Sequence, residues 1–229
     1  MSSLLLTVAL VVAAVYAWQR VARPAQRPEP GTPGASALAR AQELRTPLVR
    51  LAIAVGVPTR AGKLADRYEA GARGEQHVAG LLAELGREGW VFLYDRRLPS
   101  GRTNIDILAT SPRGHVYVLD PKVMSARWMV AVDGARLWHG SRDITDRLNG
   151  LATGARSVQS LLDTHPVRIA VVIGRLANGR EYRLNGALIV QADDICAVLR
   201  RLDAERLPRR RPANFTDVAA RLLPPYLRK

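Results

Sequence analysis

The clearest helical period along the chain lies in "GEQHVAGLLAEL" (Gly74–Leu85). Val78, Leu81, Leu82 and Leu85 recur there at helix spacing. Next comes "WVFLYDRRL", whose apolar and aromatic run predicts a strand from Trp90 to about Arg96. Two further strands are predicted in "NIDILATSPRGHVYVLDPK" (Asn104–Lys122), joined by "SPRGH". Pro112 suits a type I turn there, and Gly114 supplies a left-handed residue. "RWMVAVDGARLWHG" reads as a second hairpin, turning at Asp133-Gly134. A helix over roughly Leu151–Leu162 follows, then the β-branched strand "VRIAVVIG" (Val167–Gly174), the strand "GALIVQ" and a helix over Ala192–Leu202. This order predicts one mixed α/β domain over residues 61–203, with helices flanking a single sheet.

Three polar residues break the apolar strands: Asp106, Asp120 and Lys122. A three-residue loop of Pro112, Arg113 and Gly114 sets Ser111 opposite His115. Counting back along both strands then puts Asp106 opposite Asp120 and Asn104 opposite Lys122. Directly opposed residues have Cβ atoms ~4.5–5.5 Å apart, so the two carboxylates repel. A divalent cation with a preference for oxygen ligands, Mg²⁺ or Mn²⁺, turns that repulsion into binding. Lys122 beside it could orient a water or stabilise charge developing on a phosphate. A surface hairpin with a polar face fits the same triplet and predicts no metal. The four histidines are scattered and do not form a zinc pattern.

Outside this domain the chain changes character. "LLLTVALVVAAVYAW" (Leu4–Trp18) is uncharged and is followed by Arg20, Arg23 and Arg27. At ~1.5 Å per residue it spans roughly 22 Å, so with Ser2 and Ser3 it predicts a transmembrane anchor over residues 1–20. The flanking arginines place the rest of the chain on the cytoplasmic side, as a single-pass membrane protein. A cleaved signal with "VYA" at its end is the rival reading. Residues 21–60 form a Pro-rich linker with short helical segments, and residues 204–229 a basic tail containing "PRRRP". The net charge of +14 implies an anionic partner, nucleic acid or an anionic membrane. One cysteine, Cys196, excludes an internal disulfide.

Together "GARGEQHVAGLL", "NIDILA" and "HVYVLDPK" resemble the nuclease-related domain (NERD) family, a branch of the PD-(D/E)XK, or restriction-endonuclease-like, superfamily. The resemblance covers about Ala61–Leu202. It implies a restriction-endonuclease-like mixed sheet and Mg²⁺- or Mn²⁺-dependent hydrolysis of phosphodiester bonds in DNA, with RNA as the alternative substrate. It also implies roles: Glu75, Asp106, Asp120 and Lys122 as catalytic residues, with Glu75, Asp106 and Asp120 at the metal. Pro121 departs from the family pattern, because a proline cannot donate to a sheet ladder. "GARG" (Gly71–Gly74) is expected to serve close packing or the entry to a helix, with Glu75 in that helix's first turn. Arg96, Arg97, Arg102 and Arg113 are expected to flank the site and meet a nucleic-acid backbone. Two other functions are compatible with the sequence. A catalytically inactive binding module would retain DNA without cutting it, and a membrane-surface adaptor would use the charge on lipid.

Overall fold

A computed structural model describes residues 5, 7, 8, 27–99, 103–179 and 181–226. Within these the chain forms two compact units, one built on Ala37–Glu69 and the other on Glu29–Ser36 with the chain from Ala70 onward. The first contains most of α1 (Ala35–Leu44), then α2 (Pro47–Ala54) and the opening turns of α3 (Arg60–Gly86). Thr46 caps α2 by accepting from the Val49 N–H, and Pro47 fits the first turn, where no N–H is needed. Arg45 forms ion pairs with Asp66 at 2.8 Å and Glu69 at 2.9 Å. The apolar run Leu4–Trp18 lies mostly outside the described residues. Among those described, no helix is long and apolar enough to cross a membrane.

The second unit has three layers. Its strands, in chain order, are β1 (Val91–Arg97), β2 (Asn104–Thr110), β3 (Val116–Val123), β4 (Met129–Asp133), β5 (Arg136–His139), β6 (Arg142–Asp143), β7 (Val167–Ile173), β8 (Arg175–Leu176), β9 (Tyr182–Leu184) and β10 (Ala187–Gln191). The central sheet runs β1-β2-β3-β7-β10-β9, and a smaller sheet runs β6-β5-β4-β8. β1, β2 and β3 form an antiparallel meander, whereas β3, β7 and β10 are parallel. The mixed α/β expectation therefore holds, with a second sheet added from the 129–143 segment and Arg175–Leu176. β7 is nearly all apolar because both of its faces are covered.

One face of the sheet packs on α4 (Asn149–Leu162) and α6 (Phe215–Leu222), through Leu151, Ala155, Val158, Phe215 and Ala219. The other packs on α3 and α5 (Ile195–Ala204), through Val78, Leu82, Leu85, Ile195 and Leu199. Two segments outside 61–203 thus belong to this unit: Glu29–Ser36, and the tail from 204, whose Phe215, Ala219 and Leu223 are buried. Their spacing of four residues makes one helical stripe.

"GARG" is not the start of a helix. α3 begins at Arg60 and runs straight through Gly71 and Gly74. A Cβ at Gly74 would overlap Val123 Cγ2 and press on Ile173, so the glycine permits close approach of α3 to the ends of β3 and β7.

Candidate active site

The β2–β3 turn sets the register as the loop chemistry requires. Gly114 has φ +80°, and the Ser111 N–H donates to His115 O at 2.9 Å. Paired residues run from Thr110↔Val116 to Ile107↔Leu119. The ladder ends there, and just beyond it Asp106 and Asp120, next in the same count, lie close enough to interact. β3 continues alone against β7, pairing as far as Val123↔Ile173. The gap becomes a cleft of about 170 Å³ lined by Asn104, Asp106, Asp120 and Lys122, with Gly150 and Gly154 of α4 forming its far wall.

The parting of the strands accounts for Pro121. The Ser111–His115 bond makes odd-numbered β3 residues the ones whose N–H groups face β2, by the alternation of antiparallel pairs. Even-numbered residues face β7, as the Met124 N–H shows by donating to Ile173 O at 2.9 Å. Pro121 therefore lacks its N–H on the side where β2 has already left. It interrupts nothing in the β3–β7 pairing.

The strict alternation expected for β2 breaks at the site itself. Ile105 is buried in the core on the α4 face and Ile107 in the core on the α3 face, so the strand changes face at Asp106. β1 accommodates the change at Asp95, a non-glycine residue with φ +49° that is fully buried. Backbone in this region is strained and persists only where its surroundings hold it. Here the Asp95 carboxylate accepts from the Ser36 N–H at 2.7 Å and from Asn104 Nδ2 at 2.7 Å. Sequence reasoning missed Asp95; its only signal is an acid closing the apolar run "VFLYD".

Glu75 reaches the same region from α3, buried, with Oε2 accepting from the Gly34 N–H at 3.0 Å. Burial, then the charges of Asp95 and Asp120, push its carboxyl up to about 8 against the favourable Gly34 bond and Lys122. Asp106 is also raised well above the ordinary range, by burial first, then by Glu75 and Asp120, with which it shares a hydrogen bond. Lys122 Nζ lies 2.6 Å from Asp120 Oδ2. Glu75, Asp106, Asp120 and Lys122 are thus brought together, with Asp95 behind them.

The arginines behave differently. Arg96 is turned inward: its guanidinium donates to the backbone carbonyls of Leu223 and Ala220, tying down α6, so it has no surface to offer a phosphate. Arg113 sits in the hairpin turn, beyond the four residues of strand that run from Asp106 to Thr110, about 13 Å at ~3.3 Å per residue. It lies at the far end of the sheet and does not flank the site. Arg97 is exposed, and Arg102 lies outside the described residues.

Four carboxyl groups around one lysine leave the site short of positive charge, which suits a hard divalent cation with oxygen ligands. Among the described residues no three His, Cys, Asp or Glu side chains converge closely enough to enclose a metal alone. Two carboxylates, completed by water and substrate phosphate, are nevertheless the usual protein share of a Mg²⁺ site.

Comparison with known families places this constellation. Residues 70–174 match the family model of the nuclease-related domain. The match spans α3 from the turn before Glu75 through β7, and so includes all four clustered residues. No curated protein and no solved structure matches the chain.

Proposed function

We propose that the protein is a Mg²⁺- or Mn²⁺-dependent nuclease acting on phosphodiester bonds of DNA. Asp106, Asp120 and Lys122 line one cleft, Glu75 acts on them from α3, and all four fall inside the nuclease-related match; this convergence carries the reading. Asp106 and Asp120 would hold the metal, with Glu75 alongside, directly or through water. When bound, such an ion supplies Lewis-acid stabilisation of the phosphate and a more acidic water.

The chain's own groups have separable tasks. Asp120 fixes the Lys122 ammonium at the cleft, where it can donate to an attacking water or to a phosphate oxygen as charge builds. Glu75, with its carboxyl pushed up to about 8, holds a proton at neutral pH in the metal-free site. The gap between β2 and β3 admits substrate, and Gly150 and Gly154 keep its far wall low. Arg97, exposed at the end of β1, remains a candidate for backbone contact, and Arg102 remains one from the sequence alone. RNA is the alternative substrate of the same chemistry.

We further propose that residues 4–18 tether the protein to a membrane, with the nuclease-related domain on the cytoplasmic side. The uncharged run followed by three arginines supports this.

The test uses the full chain in detergent with linear and supercoiled DNA, incubated with Mg²⁺, with Mn²⁺ or with EDTA, beside Lys122→Ala. Metal-dependent cutting that the substitution reduces at least about 100-fold is expected. Retention of DNA by folded protein with no cutting in any metal would sink the nuclease reading and leave a binding module.

A further inference from the structure

A second pocket lies at the opposite end of the β2–β3 hairpin, at about 400 Å³, lined in part by His115, Thr164, His165, Arg206, Arg209 and Arg211. No carboxylate lines it. Among the described residues, none of the three arginines forms an ion pair.

The backbone holds these cations in place. Arg113 donates to Arg206 O at 2.7 Å, and the Arg209 N–H donates to Arg113 O at 2.8 Å. Arg211 donates to Gly114 O at 2.9 Å and to the Thr164 hydroxyl, and its guanidinium lies 4.5 Å from the Phe215 ring centroid. The crowding is unfavourable as it stands: burial and the Arg209 charge lower Arg211, with Asp163 opposing.

At the pocket's inner wall His115 is 5% exposed, and its Nε2 has no hydrogen-bond partner. The nearest acid atom, Asp203 Oδ1, is 4.0 Å away and equally unpartnered. Burial lowers the imidazole first, Asp203 raises it, and Arg206, Arg209 and Arg113 lower it again. Clustered guanidiniums beside a hydroxyl are what phosphate oxygens satisfy, because the guanidinium fork matches their geometry.

We propose that this pocket binds a phosphate group, carried either by a nucleic-acid backbone or by a free phosphomonoester. Its volume falls within the range of small-ligand pockets, beyond what a bare phosphate fills. Five residues of strand separate His115 from Asp120, about 17 Å, or roughly five base steps of a duplex at ~3.4 Å each. The inference is independent of hydrolysis in the cleft.

The experiment uses the full chain and its Arg206→Ala/Arg209→Ala double variant. Arg211 is spared because it braces Gly114 and Thr164. Inorganic phosphate, compared with chloride at equal ionic strength, is expected to raise the parent's Tm by about 2–4 °C. A short DNA duplex is titrated in EDTA at several salt concentrations. A phosphate shift lost in the variant establishes a site for the free anion. No shift, with the variant's salt-dependence slope for duplex binding smaller by roughly 2, establishes a backbone-phosphate site. A folded variant that matches the parent in both measurements overturns the proposal.

Discussion

The charge imbalance of the site is concentrated at Glu75. Its carboxyl is raised from an ordinary value of 4.5 to about 8, so folding disfavours its ionised form. The resulting instability is absent below about pH 4.5, grows as pH rises toward 8 and is constant above that. In EDTA the Tm should therefore fall between pH 5 and pH 8, and Glu75→Gln should flatten that fall, raising Tm at pH 8 by at least about 2–4 °C. Gln retains an oxygen for the Gly34 N–H, so the substitution removes charge without removing the bond. A pH profile of Glu75→Gln as steep as that of the parent would disprove the assignment. Asp106, Asp120 and Lys122 were legible in the sequence because a turn of known geometry fixes the register for several residues on either side. Asp95 was not, because its place depends on a left-handed kink that no local pattern encodes. Arg96 was misread for a related reason. Which face of β1 it occupies follows from that kink, and an arginine in an apolar run gives no hint that two carbonyls of a distant helix await it.

The sheet meander, the Asp133-Gly134 hairpin and the helices on either side of β7 and β10 follow from periodicity and turn residues. The length of α3 does not. Gly71 and Gly74 count against a helix interior by intrinsic preference, and only contact with the sheet reverses that count. Gly74→Ala should destabilise the fold by about 1–3 kcal/mol, because the new methyl must displace Val123 or tilt α3. Since Glu75 is the next residue, cleavage should fall with stability; unchanged Tm and activity would show that the helix does not approach as closely as described. Pro121 yields the opposite expectation. Its missing N–H points to the side where β2 has parted from β3, so Pro121→Val should change stability by less than about 1 kcal/mol. Activity should stay within a few-fold of the parent. A large gain of cleavage in Pro121→Val would mean that the proline holds Lys122 out of position.

The unit carrying the site is closed by a part of the chain that its composition disguises. "PRRRP" and its neighbours read as a solvated basic tail, yet Phe215, Ala219 and Leu223 fill the same core as α4. Arg96 holds this helix through carbonyls of Ala220 and Leu223, and the Tyr226 N–H donates to Asp95 O at 2.8 Å. The C-terminal segment therefore bears on the strand whose kink supports Asp106. Arg96→Ala should cost about 2–4 kcal/mol, since two charge-assisted hydrogen bonds are lost and two carbonyls lose a donor. A chain ending at Ala204 should lose much more, by exposing the apolar surface under α6. The two effects separate experimentally. In Arg96→Ala the sheet should remain cooperative, with a lowered Tm and hydrogen exchange accelerated first in residues 215–223. The truncated chain should bind a hydrophobic dye and melt without a sharp transition. A truncated chain that melts as sharply and at the same temperature as the parent would mean that the core closes without α6, and that Arg96 faces inward for some other reason.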